Sequence, residues 1–200
     1  MVKSLVQKRS TSAALRLGRA AGVPNLIFMT DSGRVRNPVE VCLRLPAGSI
    51  IIARDYDHPD RVGLAFELRR VTREQKQFLL IAGDPALARY VGADGLHLPE
   101  YQLRYPPNLA SFGLVSAACH SHRALLQAEK LGVDFAFVSP VFTTNSHPDA
   151  KALGIHRLAR LAAISKVPLV ALGGITAQNA AQLYPVKLIG IAAIGAFASL

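Results

Sequence analysis

Short, almost uninterrupted apolar runs recur along the chain, each followed by a polar or glycine-containing break and then by apolar positions at helical spacing. NLIFMTD (25–31), SIIIAR (49–54), QFLLIAG (77–83), GLHL (95–98), FGLVSAA (112–118) and FAFVS (135–139) are too short for helices. They have the pattern of parallel strands buried on both faces. VPLVALGGIT (167–176) and LIGIAAIGAF (188–197) are two further strands that end in glycine. Between the strands, a short helical piece contains Val41 and Leu45, and a helix begun by proline is expected over 59–74, with Val62, Leu64, Ala65, Leu68 and Val71 on one face. DPALARYV has Asp84 as N-cap and Pro85 at its first turn, HRALLQAEKLG follows His120 and Ser121, and a further helix covers 154–165. Thr176 is the expected N-cap of a helix AQNAAQL, whereas YQLRYPPN and residues 140–151 read as loops. Eight strands alternating with helices predict a single-domain (β/α)8 TIM barrel over residues 25–200, with a doubly wound open sheet as the alternative.

Composition narrows this reading. A chain of 200 residues, 50% hydrophobic, has ample core for one domain, and no apolar stretch approaches the roughly 18 residues of a membrane span. Cys42 and Cys119 lie far apart without paired spacing, so a disulfide framework or zinc knuckle is not supported and a cytoplasmic location is expected. The net charge of +10 favours anionic partners. Lys3, Lys8, Arg9, Arg16 and Arg19 all precede the first acidic residue, Asp31. Residues 1–24 are therefore expected to form a basic N-terminal helix capping the barrel, although their composition also resembles a transit peptide. No nucleic-acid motif accompanies the charge.

In a parallel barrel the carboxyl ends of all strands share one face, so polar residues there converge. They include Asp31, Arg54, Asp55, Asp84, His97, Glu100 and His120, and later Thr143, Thr144, His147, Gly173, Gly174 and Gly195. Gly173 and Gly174 can present bare backbone amides to a phosphate, helped by the positive end of the helix expected behind them, or can be turn chemistry alone. Arg54 offers a fork of donors to a phosphate or carboxylate, or pairs with Asp55, Asp57 or Asp84. Asp84 is an N-cap or a Mg2+ ligand. His97 reads as a core histidine, and Cys119 as packing. His120, at a strand-to-helix junction, suits either proton transfer or capping and anion holding.

Several of these runs together resemble the thiamine phosphate synthase and TenI superfamily, over nearly the whole chain. LIFMTD (26–31), GADGLHLPE (92–100), LLQAEKLGVDFAFVSPVFTT (125–144) and VPLVALGGITAQN (167–179) are similar to that family's first strand, fourth-strand motif, sixth-strand unit and phosphate turn. The resemblance implies a barrel that binds a thiazole phosphate on the backbone of Gly173, Gly174, Ile194 and Gly195, with Thr143, Thr144 and His147 contributing to substrate binding. A synthase of this family joins a pyrimidine diphosphate to the thiazole with Mg2+ assistance, whereas TenI-like relatives move a proton with a histidine at the position of His120. Departures from the synthase pattern cluster on the diphosphate side. Tyr56 and His147 stand where lysines are expected, Gly83 replaces asparagine, Gln102 replaces a metal carboxylate, and Ala118 replaces serine. The expectation is therefore a TenI-like thiazole tautomerase, with His120 as acid and base and Arg54 orienting a carboxylate or phosphate. A Mg2+-dependent synthase and a non-catalytic binder of thiazole or thiamine phosphate are the alternatives. Asp84 and Glu100 act as metal ligands only where Mg2+ is used, and no other cofactor is expected. The expected partner is a small-molecule phosphate, not nucleic acid or membrane, with a homodimer left open. On this reading Gly173, Gly195 and His120 share one opening.

Overall fold

The computed structural model describes residues 25–144 and 151–197. The expected N-terminal helix over 1–24 and the substrate-binding role of His147 lie outside the described residues. The strands are β1 (Asn25–Met29), β2 (Ile50–Ala53), β3 (Phe78–Ala82), β4 (Gly95–Leu98), β5 (Leu114–Cys119), β6 (Phe135–Val138), β7 (Leu169–Leu172) and β8 (Gly190–Ala193). They pair in sequence order, all parallel, and β8 returns to β1 with Asn25 opposite Gly190, closing an eight-stranded barrel. The open-sheet alternative is thereby excluded.

The period-2 alternation of each strand divides its side chains between two layers. Ile27, Met29, Ile50, Ile52, Leu80, Ala82, Leu114, Phe135, Phe137 and Val170 fill the barrel. Their neighbours Phe28, Ile51, Leu79, Ile81, Leu96 and Ala136 face the surrounding helices. Those helices are α1 (Pro38–Arg44), α2 (Arg61–Glu74), α3 (Pro85–Tyr90), α4 (His122–Leu131) and α5 (Gly154–Ile164). Leu64, Ala65, Leu68 and Val71 form the buried stripe of α2. No helix among the described residues is long and apolar enough to cross a membrane.

Local chemistry sets where the helices begin. Asp84 accepts from the Leu87 amide at 2.9 Å and caps α3, and Ser121 accepts from the Ala124 amide at 3.1 Å and caps α4. In α2 the cap is Asp60, whose carboxylate accepts from Gly63 N at 2.8 Å, so the helix starts after this cap and not at Pro59 as expected. The helix expected from Thr176 is replaced by a four-residue 3₁₀ turn, Ala180–Leu183. The Asn179 side chain accepts from Thr176 N and donates to Gly174 O, both at 2.8 Å, which folds the segment back onto the glycine turn. Pro185 then bars further helix. YQLRYPPN, expected as loop, instead begins within another 3₁₀ turn, Glu100–Leu103.

Candidate active site at the carboxyl rim

β7 ends in a turn whose residues Gly173 and Gly174 have φ of +95° and +68°, a region that L side chains avoid. A Cβ on Gly173 would lie 2.8 Å from Pro140 Cα, and one on Gly174 would lie 2.4 Å from Thr143 O. The β6–α5 loop therefore packs directly on the glycine backbone. Around this turn an opening of about 340 Å3 is lined by Thr143, Thr144, Gly173, Gly174, Ile194 and Gly195. Among the described residues nothing would lie within 4 Å of a Cβ on Gly195. The structure thus brings six of the expected substrate-binding residues together. The supporting helix dipole is absent, because a 3₁₀ turn follows β7.

Arg34 lines the same opening and was not among the sequence candidates. Its Nε lies 3.2 Å from Asp31 Oδ2, and Arg54 Nη2 lies 2.5 Å from that same oxygen. Asp31 therefore ties a cation at the glycine opening to one at the end of β2. Asp55, an expected partner of Arg54, is occupied elsewhere: Thr30 Oγ1 donates to Oδ2, and Ser32 N and Oγ donate to Oδ1 at 2.5 Å. Burial works to raise the Asp55 pKa, but the Ser32 and Thr30 hydroxyls and backbone amides outweigh it and hold the carboxyl below its ordinary value.

A second unanticipated cation stands at the end of β3. Arg61 Nη2 donates to Ala82 O at 2.6 Å, and Nη1 lies 3.7 Å from Asp84 Oδ2. The guanidinium covers the Tyr56 ring at 5.4 Å. Burial raises the Tyr56 pKa, aided by Tyr101, while the charges of Arg54 and Arg61 oppose the rise, so both arginines act on one phenol. The three-residue step from Asp31 to Arg34 and the first position of α2 were the available sequence signals for these cations.

Glu100 is engaged at the start of α4. Its Oε2 accepts from His120 N at 2.5 Å and lies 2.8 Å from His120 Nδ1, while Ser121 Oγ donates to Oε1 at 3.3 Å. Among the described residues no group of three or more His, Cys, Asp or Glu side chains could hold a metal. Gln102 Nε2 donates to Gly83 O at 2.8 Å, next to Asp84, and its buried Oε1 has no hydrogen-bond partner among the described residues. One carboxylate and one amide oxygen at the end of β3 are hard-oxygen donors of the kind that suits Mg2+, too few by themselves to complete its shell.

His120 does not line the glycine opening. It lines a separate cavity with Ser139, Arg157 and Arg160, so the expectation that Gly173, Gly195 and His120 share one opening fails. The N-cap Ser121 directs the chain into α4 immediately after His120, beside the flank of the barrel. His97 is buried in the barrel as expected, with Nδ1 2.9 Å from Ser116 Oγ and its ring edge-on to Phe137 at 5.1 Å. Cys119 is buried, and burial with the Glu100 charge pushes its thiol up to about 12, which disfavours the thiolate that nucleophilic chemistry needs.

The family model described as Thiamine monophosphate synthase matches residues 26–197. The chain is 38% identical to "Putative thiamine-phosphate synthase 2" of Aquifex aeolicus, over 72% of this chain and 80% of that protein. It is 33% identical to a thiamine-phosphate synthase of Pyrococcus furiosus, over 64% of this chain and 63% of that protein, slightly under two thirds of the relative's length. The solved structure of thiamine phosphate pyrophosphorylase from Pyrococcus furiosus superposes with a TM-score of 0.72 at 31% identity, covering 88% of both chains. A glycine-walled opening at the end of β7 in a closed parallel barrel, together with a family match over nearly all of it, makes this chain a member of the thiamine phosphate synthase and TenI superfamily.

Proposed function

We propose that the protein is a thiamine-phosphate synthase. The observation that carries this reading is Arg61, a guanidinium held at Asp84 by the Ala82 carbonyl. With Arg54 it returns positive charge beside Tyr56, which stands where a synthase lysine is expected. The relatives' names favour the same activity. In the proposed reaction the bond between the pyrimidine methylene carbon and the diphosphate oxygen breaks, and its electron pair leaves with pyrophosphate. The thiazole nitrogen then supplies the pair for the new carbon–nitrogen bond. The amides of Gly173, Gly174 and Gly195 hold the thiazole monoester, and Arg34 adds charge at the same opening. Arg54 and Arg61 stabilise the charge that develops on the leaving diphosphate. Asp84 and Gln102 are the residues that would hold Mg2+, which when bound neutralises diphosphate oxygens.

A second reading rests on the Glu100–His120 pair. A carboxylate 2.8 Å from one imidazole nitrogen orients the other for proton transfer, which is the chemistry of a TenI-like tautomerase. Incubation with pyrimidine diphosphate, thiazole phosphate and Mg2+, beside a carboxythiazole isomerisation assay, separates the readings. Mg2+-dependent thiamine phosphate formation supports the synthase, isomerisation alone supports the tautomerase, and stabilising binding without either reaction marks a binder.

A further inference from the structure

A second cavity, of about 320 Å3, lies between α4 and α5 on the flank of the barrel and, among the described residues, shares no lining residue with the glycine opening. Leu125 of α4, Val138 of β6, Leu153, and Leu161 and Ile164 of α5 give it apolar walls. Four nitrogen-bearing side chains converge on these walls: His120, His122, Arg157 and Arg160. Arg157 and Arg160 stand one turn apart on α5 and, among the described residues, neither forms an ion pair with a carboxylate. Apolar walls with a few convergent polar groups are the composition of a small-molecule site, and the volume falls at the lower end of the roughly 300–1,000 Å3 range of such sites.

We propose that this cavity is a second ligand site that binds a small amphiphilic anion, an apolar chain or ring carrying one carboxylate or phosphate monoester. The apolar body packs against Leu125, Val138 and Leu161, and the anionic head meets the Arg157 and Arg160 guanidiniums. An inorganic anion would leave the walls uncovered, and an uncharged apolar ligand would leave both guanidiniums without a counter-charge. His120 lines this cavity and is also gripped by Glu100, so an occupant here touches a residue of the reactive rim. As a site separate from the reaction, the cavity rests on the synthase reading, because a tautomerase would bring its own substrate to His120.

The test is a titration of the full chain, followed by the backbone amide signals of His122, Leu125, Arg157 and Leu161, with octyl phosphate, butyl phosphate, octanoate and inorganic phosphate. Octyl phosphate or octanoate should shift all four signals, with affinity falling by about fourfold for each buried methylene removed. Arg157→Glu/Arg160→Glu, two exposed positions that leave the barrel folded, should weaken binding by at least about tenfold. A tighter octyl phosphate identifies a phosphate head and a tighter octanoate a carboxylate, and either upholds the site. Inorganic phosphate shifting the same signals as strongly, or equal binding by the double variant, would overturn it. So would a concentration-dependent dimer that the double variant abolishes without any ligand shift in the native chain, because the face would then be a subunit interface.

Discussion

Glu100 grips His120 twice, accepting from its backbone amide at 2.5 Å and standing 2.8 Å from its Nδ1. A carboxylate oxygen accepts, so the pair favours the tautomer that carries its proton on Nδ1 and turns Nε2 outward. Nitrogen NMR of His120 should report that tautomer in the native chain, and Glu100→Ala should remove the preference. The same substitution strips acceptors from the start of α4 and should cost about 1–2 kcal/mol in denaturant unfolding. An unchanged tautomer would show that Glu100 does not orient the ring.

Gly174 and Gly195 should separate structure from ligand binding. Gly174→Ala forces a Cβ to within 2.4 Å of Thr143 O at a φ of +68°, and should lose about 1–3 kcal/mol of stability along with phosphate binding. Gly195→Ala meets none of the described residues within 4 Å, so its thermal midpoint should hold while thiazole phosphate affinity falls by about tenfold. Full affinity in Gly195→Ala would remove that backbone from the binding surface.

The barrel was legible because its signal is local: eight apolar runs of strand length, most closing on a polar or glycine rim residue, dictate alternation and burial together. The glycine opening was legible for the same reason. Four features depend on which side chain reaches which partner, and apolar spacing does not encode that. Arg34 and Arg61 matter only because the fold aims them at Asp31 and Asp84. Arg54 takes Asp31 because Asp55 is already occupied by Thr30 and Ser32. Asn179 spends its amide tying down the glycine turn, and AQNAAQL consequently never becomes the helix its composition suggests. His120 precedes the Ser121 cap, and the two lie beside the flank cavity, so proximity to the rim in sequence did not bring it to the glycine opening.

His97 should make the protein acid-sensitive. Burial, with smaller contributions from Arg54 and His120, pushes its pKa from 6.5 down to about 3. The folded chain keeps the ring neutral while the unfolded chain takes up a proton below about pH 6.5. Its contribution is therefore complete above that pH and is lost as pH falls toward 3, at up to about 1.4 kcal/mol per pH unit. His97→Gln should flatten the stability profile between about pH 6 and pH 4.5, above the window in which carboxylates such as Asp55 titrate. An unaltered slope would place the acid sensitivity elsewhere.

The diphosphate side should respond to Arg61 and Gln102 in different ways. Arg61→Ala should lower kcat for coupling by about 10²-fold or more, since a fixed cation facing the leaving group acts mostly in the transition state. Gln102→Asp adds a carboxylate beside Asp84 and should lower the Mg2+ concentration for half-maximal coupling by about an order of magnitude. A Mg2+ response identical in Gln102→Asp and the native chain would remove that side chain from the metal site.

A synthase would divide its two substrates between two places on the rim. In a crystal structure of the chain with thiazole phosphate and a non-hydrolysable pyrimidine diphosphate analogue, the monoester should lie on the amides of Gly173, Gly174 and Gly195 and the diphosphate between Arg54, Arg61 and Asp84. A monoester seated instead beside His120, Arg157 and Arg160, with the glycine opening holding only solvent, would contradict it.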